Sequence, residues 1–267
     1  MTEKKDFIVV QSTDLLPDAD TTLEHGIVFA RETKGQLISL HLHQGDPDGP
    51  LPDLKKTLEK WSTDGEDLNH KTVVHDTGDS PKKGLLKSIK EFDADLLIVG
   101  TRQQNANKKT KTSRNSVSEV AALDADVPTL VLHLGQPGLV NAEGELQLRR
   151  VLVPVGDGEE ARDAIQGITK LLDRVGVDDV DLFLLRVGDD EILEYLTLPE
   201  RDGWRWHRET RQGFVSNVIG EVCKEKDIDL VAMSTRGQDG VVDVFSGTHT
   251  QKVIRRVACP VLAIPMK

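Results

Sequence analysis

Ser234-Thr235-Arg236-Gly237, followed nine residues later by Gly247-Thr248, is the stretch of this chain best suited to chemistry. Glycine lets the backbone approach an anion closely and adopt positive φ. A helix opening at Thr248 would point its unpaired N–H groups, and the positive end of its dipole, at that anion. Thr248 can cap the helix or hydrogen-bond a phosphate oxygen, and Arg236 adds a cation. The chemistry so described is phosphate binding. The competing account is an ordinary turn before an N-capped helix, because Gly-Thr ahead of a helix is common.

The same pattern occurs earlier, in weaker form. Lys224–Gly237 nearly repeats Lys90–Gln103 at an offset of 134, with seven of 14 positions identical. Each copy ends a helix, passes through a short apolar strand and stops in a Gly/Ser-Thr-Arg loop. In the first copy Gly100 and Arg102 are present, Gln103 replaces a glycine, and Asn115-Ser116 stands where Gly-Thr is expected, two residues later. Residues 103–114 carry four positive charges and no acid.

The elements that must hold these loops alternate between strand and helix. Phe7–Val10, Leu37–Leu42, Lys71–His75, Leu96–Val99 and Thr129–Leu132 read as strands. Thr21–Thr33, Leu54–Trp61, Ser80–Phe92 and Ser116–Leu123 read as helices between them, and Gly35 is the expected stop of the first helix. The second half repeats the order. Strands are expected at Arg150–Val155, Asp181–Val187, Trp204–His207, Leu230–Met233 and Val261–Ile264. Helices are expected at Glu159–Leu172, Phe214–Lys226 and Thr248–Val257, with a short one in Asp190–Leu198. Five strands alternating with helices imply a parallel sheet with right-handed crossovers, covered on both faces. Ligands of such sheets sit beyond the carboxyl ends of the strands, where the strand order reverses. The expected division is residues 1–135, a Gly/Pro-bearing linker over 136–148, and residues 149–267.

Composition narrows the function. The chain has 267 residues, 37% hydrophobic, with three Trp, one Tyr and six Phe, so two aliphatic cores of ordinary domain size are affordable. A net charge of −11 opposes a nucleic-acid surface or binding to anionic lipid. No apolar run approaches a membrane span, and Met1–Asp6 lacks the apolar segment of a signal peptide. The expected location is the cytoplasm. Two cysteines, Cys223 and Cys259, provide neither a disulfide framework nor a thiolate metal site and read as small core residues.

The spacing Ser234, Gly237, Gly247-Thr248 resembles that of nucleotide-binding members of the universal stress protein family, with serine for the first glycine. The flanks agree: Asp229–Met233 before the loop, Val257–Leu262 after it, and Val151–Val155 as a first strand. Thr13-Asp14, Pro17–Ala19 and Leu40–Leu42 resemble the family in the first half. The resemblance covers both halves and implies two tandem flavodoxin-like, doubly wound α/β domains. It also implies that the last strands, Thr129–Leu132 and Val261–Ile264, pair the two domains as an intramolecular pseudo-dimer. A homodimer and an unidentified protein partner stay open.

Some family members bind ATP and others do not. In binders the resemblance implies an aspartate after strand one near adenine, a residue ending strand two against the base, and the glycine loop on ribose and phosphates. Carried over, the second half supplies Asp157, Val187, Ser234, Arg236, Gly237, Gly247 and Thr248. Gly156 stands where the aspartate is expected, with Asp157 one position late. The first half supplies a weaker set: Asp14, Leu42, Gly100, Arg102, Asn115 and Ser116. The expectation is a non-catalytic stress-response regulator that binds ATP or another adenine nucleotide through its second half. The alternative is a nucleotide-free interaction scaffold with both pockets degenerate.

Other motifs compete poorly. Gly156-Asp157-Gly158-Glu159-Glu160-Ala161 fits G-x-G-x-x-A, but its three carboxylates would repel a pyrophosphate. His41 and His43 share a strand face without an evident third metal ligand. Trp204 and Trp206 give a strand one aromatic face, suited to packing against a helix or a partner. No nucleophile elbow is present, and no positioned base for nucleotide hydrolysis is evident.

Overall fold

A computed structural model describes residues 6–13, 20–43, 53–61, 68–77, 80–102, 117–156, 158–188, 192–236 and 249–266. The first half runs β1 (Ile8–Thr13), α1 (Asp20–Thr33), β2 (Gln36–His43), α2 (Leu54–Lys60), β3 (Asn69–Asp76), α3 (Pro81–Glu91), β4 (Leu96–Thr101), α4 (Val117–Asp124) and β5 (Thr129–His133). The second half runs β6 (Arg150–Val155), α5 (Gly158–Arg174), β7 (Val180–Val187), a 3-10 turn (Ile192–Tyr195), β8 (Trp204–Arg211), α6 (Val215–Glu225), β9 (Leu230–Thr235), α7 (His249–Arg256) and β10 (Val261–Pro265). Strand β8 extends four residues past its expected end. Its extension, Arg208 to Arg211, is charged and lies at the sheet edge, where alternation of apolar residues is not required and charge discourages further pairing.

Each half is a five-stranded parallel sheet with helices on both faces, the flavodoxin-like arrangement. On β6, Val151 and Val153 pack into the layer that holds α1, α2 and α5, while Leu152 packs into the layer of α3, α4, α6 and α7. Burial on both faces explains why the inner strands read as continuous apolar runs. The two sheets fuse into one of ten strands, in the order β3-β2-β1-β4-β5-β10-β9-β6-β7-β8. The seam is antiparallel: Thr129, Leu130 and Val131 of β5 lie opposite Ala263, Leu262 and Val261 of β10. His133, at the end of β5, donates from Nε2 across the seam to the Ile254 carbonyl at 2.6 Å. Among the described residues no helix is long and apolar enough to cross a membrane.

The repeated stretch has a structural basis beyond its apolar strand. Asp93 and Asp227, 134 residues apart, both adopt the left-handed region, at φ 51° and 48°. Each sits just past a helix whose backbone closes behind it, Ala94 N–H on Ile89 O and Ile228 N–H on Cys223 O, both 3.0 Å. Two residues later a second aspartate fixes the first strand of its half. Asp95 Oδ2 accepts from Ile8 N–H, and Asp229 Oδ2 accepts from both Arg149 and Arg150 N–H, each at 2.8 Å.

The stop of α1 differs from expectation by one residue. The left-handed residue is Lys34 (φ 51°), not Gly35. Glycine is needed at 35 for another reason, since a Cβ there would fall on the Phe7 carbonyl. The stretch between the halves is strapped to the first. Val140 and Leu146 form an antiparallel bridge, and Leu139 and Leu148 are buried. Leu139 N–H donates to His25 Nε2 at 2.7 Å, and Arg31 donates to the Gly144 carbonyl at 2.7 Å.

Candidate functional site

In each half the first strand lies between the second and the fourth, so the order reverses there and a crevice opens beyond its carboxyl end. In the second half that strand is β6, flanked by β7 and β9. Its end, Val155-Gly156, is the centre of a group of charged side chains. Arg186, on β7 opposite Val155, donates from its guanidinium to the Gly156 carbonyl at 2.7 Å and to the Val155 carbonyl at 3.3 Å. Glu160, in the first turn of α5, folds back over Gly156, and a Cβ at 156 would fall on its carboxylate. Glu160 Oε1 also meets Arg236 Nε at 2.9 Å. The glycine at 156 thus makes room for a carboxylate supplied four residues later.

The helix N-termini at this end differ in character. Helix α5 opens with Glu159 and Glu160, whose charges already complement its dipole. Helix α7 opens at His249 with no acid in its first turn and has Arg255 and Arg256 in its last.

Val187 ends β7, is half-buried and packs against the α6 side of the core. Ser234 lies on β9 opposite Ile264, and Arg236 follows the end of β9. These three, from strands flanking β6, lie at one end of the sheet. Asp157, Gly237, Gly247 and Thr248 lie outside the described residues. In the first half Leu42 is half-buried on β2, and Gly100 lies on β4 beneath Leu134, whose methyl groups would be 2.8 and 2.9 Å from a Cβ there. The small residue at 100 is therefore accounted for by packing. Arg102 is exposed just past β4. Asp14, Asn115, Ser116 and the basic residues of 103–114 lie outside the described residues.

Sequence reasoning missed Glu160 and Arg186. Glu160 was visible only as one of three acids in a decoy motif, and Arg186 only as a polar residue interrupting an apolar strand. The other motifs resolve as packing. His41 and His43 stack with ring centroids 6.0 Å apart, and among the described residues no group of three His, Cys, Asp or Glu could hold a metal. Trp204 is buried with its Nε1 donating to the Val177 carbonyl, and Trp206 packs against the same core with its Nε1 on the Pro199 carbonyl.

Comparison with known proteins agrees with this architecture. The model of the universal stress protein family matches residues 8–133 and 198–265, well over half of the chain. A universal stress protein of Methanocaldococcus jannaschii is 30% identical over 77 residues, covering 29% of this chain and 45% of that protein. One from Synechocystis is 28% identical over 142 residues, covering 46% of this chain and 88% of that protein. The match to the M. jannaschii protein thus spans less than half of its length. Among solved structures, a universal stress protein of Archaeoglobus fulgidus superposes with a TM-score of 0.70 at 18% identity, over 98% of this chain and 97% of that one. A protein of unknown function from Pseudomonas aeruginosa superposes with a TM-score of 0.66 at 15% identity, over 98% and 93%. At such identities the structures speak for the fold alone, while the matched model covers segments of both halves: the chain belongs to the universal stress protein family.

Proposed function

We propose that this protein is a tandem stress-response regulator whose second half binds a phosphate-bearing ligand, an adenine nucleotide such as ATP, and does not transform it. Family membership supports the stress-response role. The observation that carries the ligand is Arg236, placed at the end of β9 beside the strand-order reversal, with α7, whose first turn holds no acid, the next helix along the chain. A phosphate there would meet a guanidinium and the N-terminal field of α7. The residues assigned to it are Val187, Ser234, Arg236, Gly237, Gly247 and Thr248, with Asp157 as the carboxylate near the base. The first-half set is the weaker pocket. We also infer the division into residues 1–135, a connecting 136–148 and residues 149–267, and a cytoplasmic location.

Titration calorimetry with ATP, and extraction of nucleotide from the purified protein, test the reading. Saturable binding that is lost on Gly247→Leu is expected. The absence of heat at millimolar ATP would overturn it.

One observation favours the scaffold reading instead. The Glu160 carboxylate already neutralises Arg236, which leaves the crevice less attractive to a phosphate. On that reading the continuous ten-stranded sheet is the functional unit, and Gly247→Leu leaves the cellular stress phenotype intact.

A further inference from the structure

The two cysteines of the chain lie on different elements, 36 positions apart, with their sulfurs 4.0 Å from each other. Cys223 is on the inner face of α6 and is buried. Cys259 lies in the short turn between α7 and β10 and is half-buried, the less enclosed residue of the pair. The sulfurs need to approach to about 2.05 Å to bond. We propose that Cys223 and Cys259 form a peroxide-sensitive dithiol that closes to an intramolecular disulfide.

The pair is chemically asymmetric in the direction this requires. The hydrogen bond between the two sulfurs holds Cys259 below the ordinary thiol range, helped by the Cys259 backbone N–H and opposed by burial and by Asp229. The same interaction, with burial, holds Cys223 far above that range. Cys259 is therefore the more readily ionised thiol of the two and the one that meets the oxidant. Its sulfur attacks a peroxide oxygen, the O–O bond breaks, and hydroxide leaves and is protonated to water. The resulting sulfenic acid is attacked by the Cys223 sulfur, which loses its proton as the S–O bond breaks and a second water leaves. In sum, two thiols and one hydrogen peroxide give one disulfide and two waters.

The position gives the bond a consequence. The chain between residues 223 and 259 holds β9, residues 237–248 and α7, and hence Ser234, Arg236, Gly237, Gly247 and Thr248. Closing the disulfide fastens both ends of that segment, one to α6 and the other to the entry of β10, the seam strand. Pairs of this kind in reducing compartments are transient sensors rather than permanent braces. The dithiol stands whether or not the crevice binds a nucleotide.

The reduced full-length protein is treated with roughly equimolar hydrogen peroxide, quenched with iodoacetamide under denaturing conditions, and measured by intact and peptide mass spectrometry. Both free thiols should disappear together, the mass should fall by two hydrogens, and a 223–259 cross-linked peptide should appear and be reversed by dithiothreitol. In Cys223→Ser, dimedone should trap one sulfenic acid, at Cys259. In Cys259→Ser, Cys223 should stay unmodified. Circular dichroism establishes that both serine variants fold. Two alkylatable thiols after peroxide, a disulfide between chains, or sulfinic acid at Cys259 without the cross-link would each overturn the proposal.

Discussion

Glu160 and Arg236 meet at 2.9 Å and tie the first turn of α5 to the end of β9 across the end of β6. Both side chains are partly exposed, 30% and 52%, so the pair is worth about 0.5–1 kcal/mol at most. That is still enough to compete with a phosphate for the guanidinium. Glu160→Gln removes the charge and keeps the shape. ATP affinity should rise by roughly two- to fivefold, about 1.4 kcal/mol being tenfold. Calorimetry on the variant checks this, and equal or weaker binding would show that Glu160 is not the competitor.

Asp229 and Asp95 occupy equivalent places in the repeat but carry unequal loads. Asp229 accepts two backbone N–H groups and Asp95 one. Charge-assisted bonds of this kind contribute about 1.5–3 kcal/mol each where buried, and less here because the sites are partly exposed. Asp229→Ala should destabilise by about 2 kcal/mol and Asp95→Ala by about 1 kcal/mol in urea denaturation. Equal losses would mean that the second hydrogen bond of Asp229 contributes nothing.

Much of this was legible in the sequence, within physical limits. Inner strands such as Leu96–Val99 are buried on both faces, so their apolar runs announce a parallel sheet directly. The offset of 134 exposed the duplication, and Ser80 before Pro81 marked the start of α3, where its Oγ caps Lys83 N–H. The clamps made by Asp95 and Asp229 were not legible, because their partners lie 87 and about 80 residues away. Glu160 and Arg186 were hidden for the same reason: a charged side chain folding over a glycine on another element leaves no local pattern. The strap over 136–148 read as a linker because Gly144 and Pro137 mark turns whether or not the turn packs.

Gly144 is held at φ 77° beneath the indole of Trp61, and a Cβ there would overlap the ring. Gly144→Ala should therefore destabilise by about 1–3 kcal/mol, through left-handed strain and displacement of Trp61. Limited proteolysis offers an independent check. The native chain should resist cleavage within 139–148, and the variant should be cut there. Rapid cleavage of the wild-type protein in this segment would mean that the strap is not held as described.

His25 is buried on α1, where its Nδ1 donates to the Thr21 carbonyl at 2.7 Å and its Nε2 accepts from Leu139 N–H at 2.7 Å. Both nitrogens are engaged by the neutral ring, and burial lowers its pKa to about 4, against 6.5 for a free histidine. Between those values the unfolded chain binds a proton that the folded chain does not. The contribution to stability is therefore complete above pH 6.5 and declines as the pH falls toward 4, by up to about 3 kcal/mol. His70 and His133, also lowered by burial, add to the decline in the same direction. In His25→Gln the overall stability should be lower at pH 7, because the acceptor for Leu139 N–H is displaced. Its dependence on pH from 6.5 to 4 should be visibly shallower than in the parent. Urea denaturation at half-unit pH steps measures both quantities, and parallel curves for the two proteins would show that His25 does not titrate with unfolding.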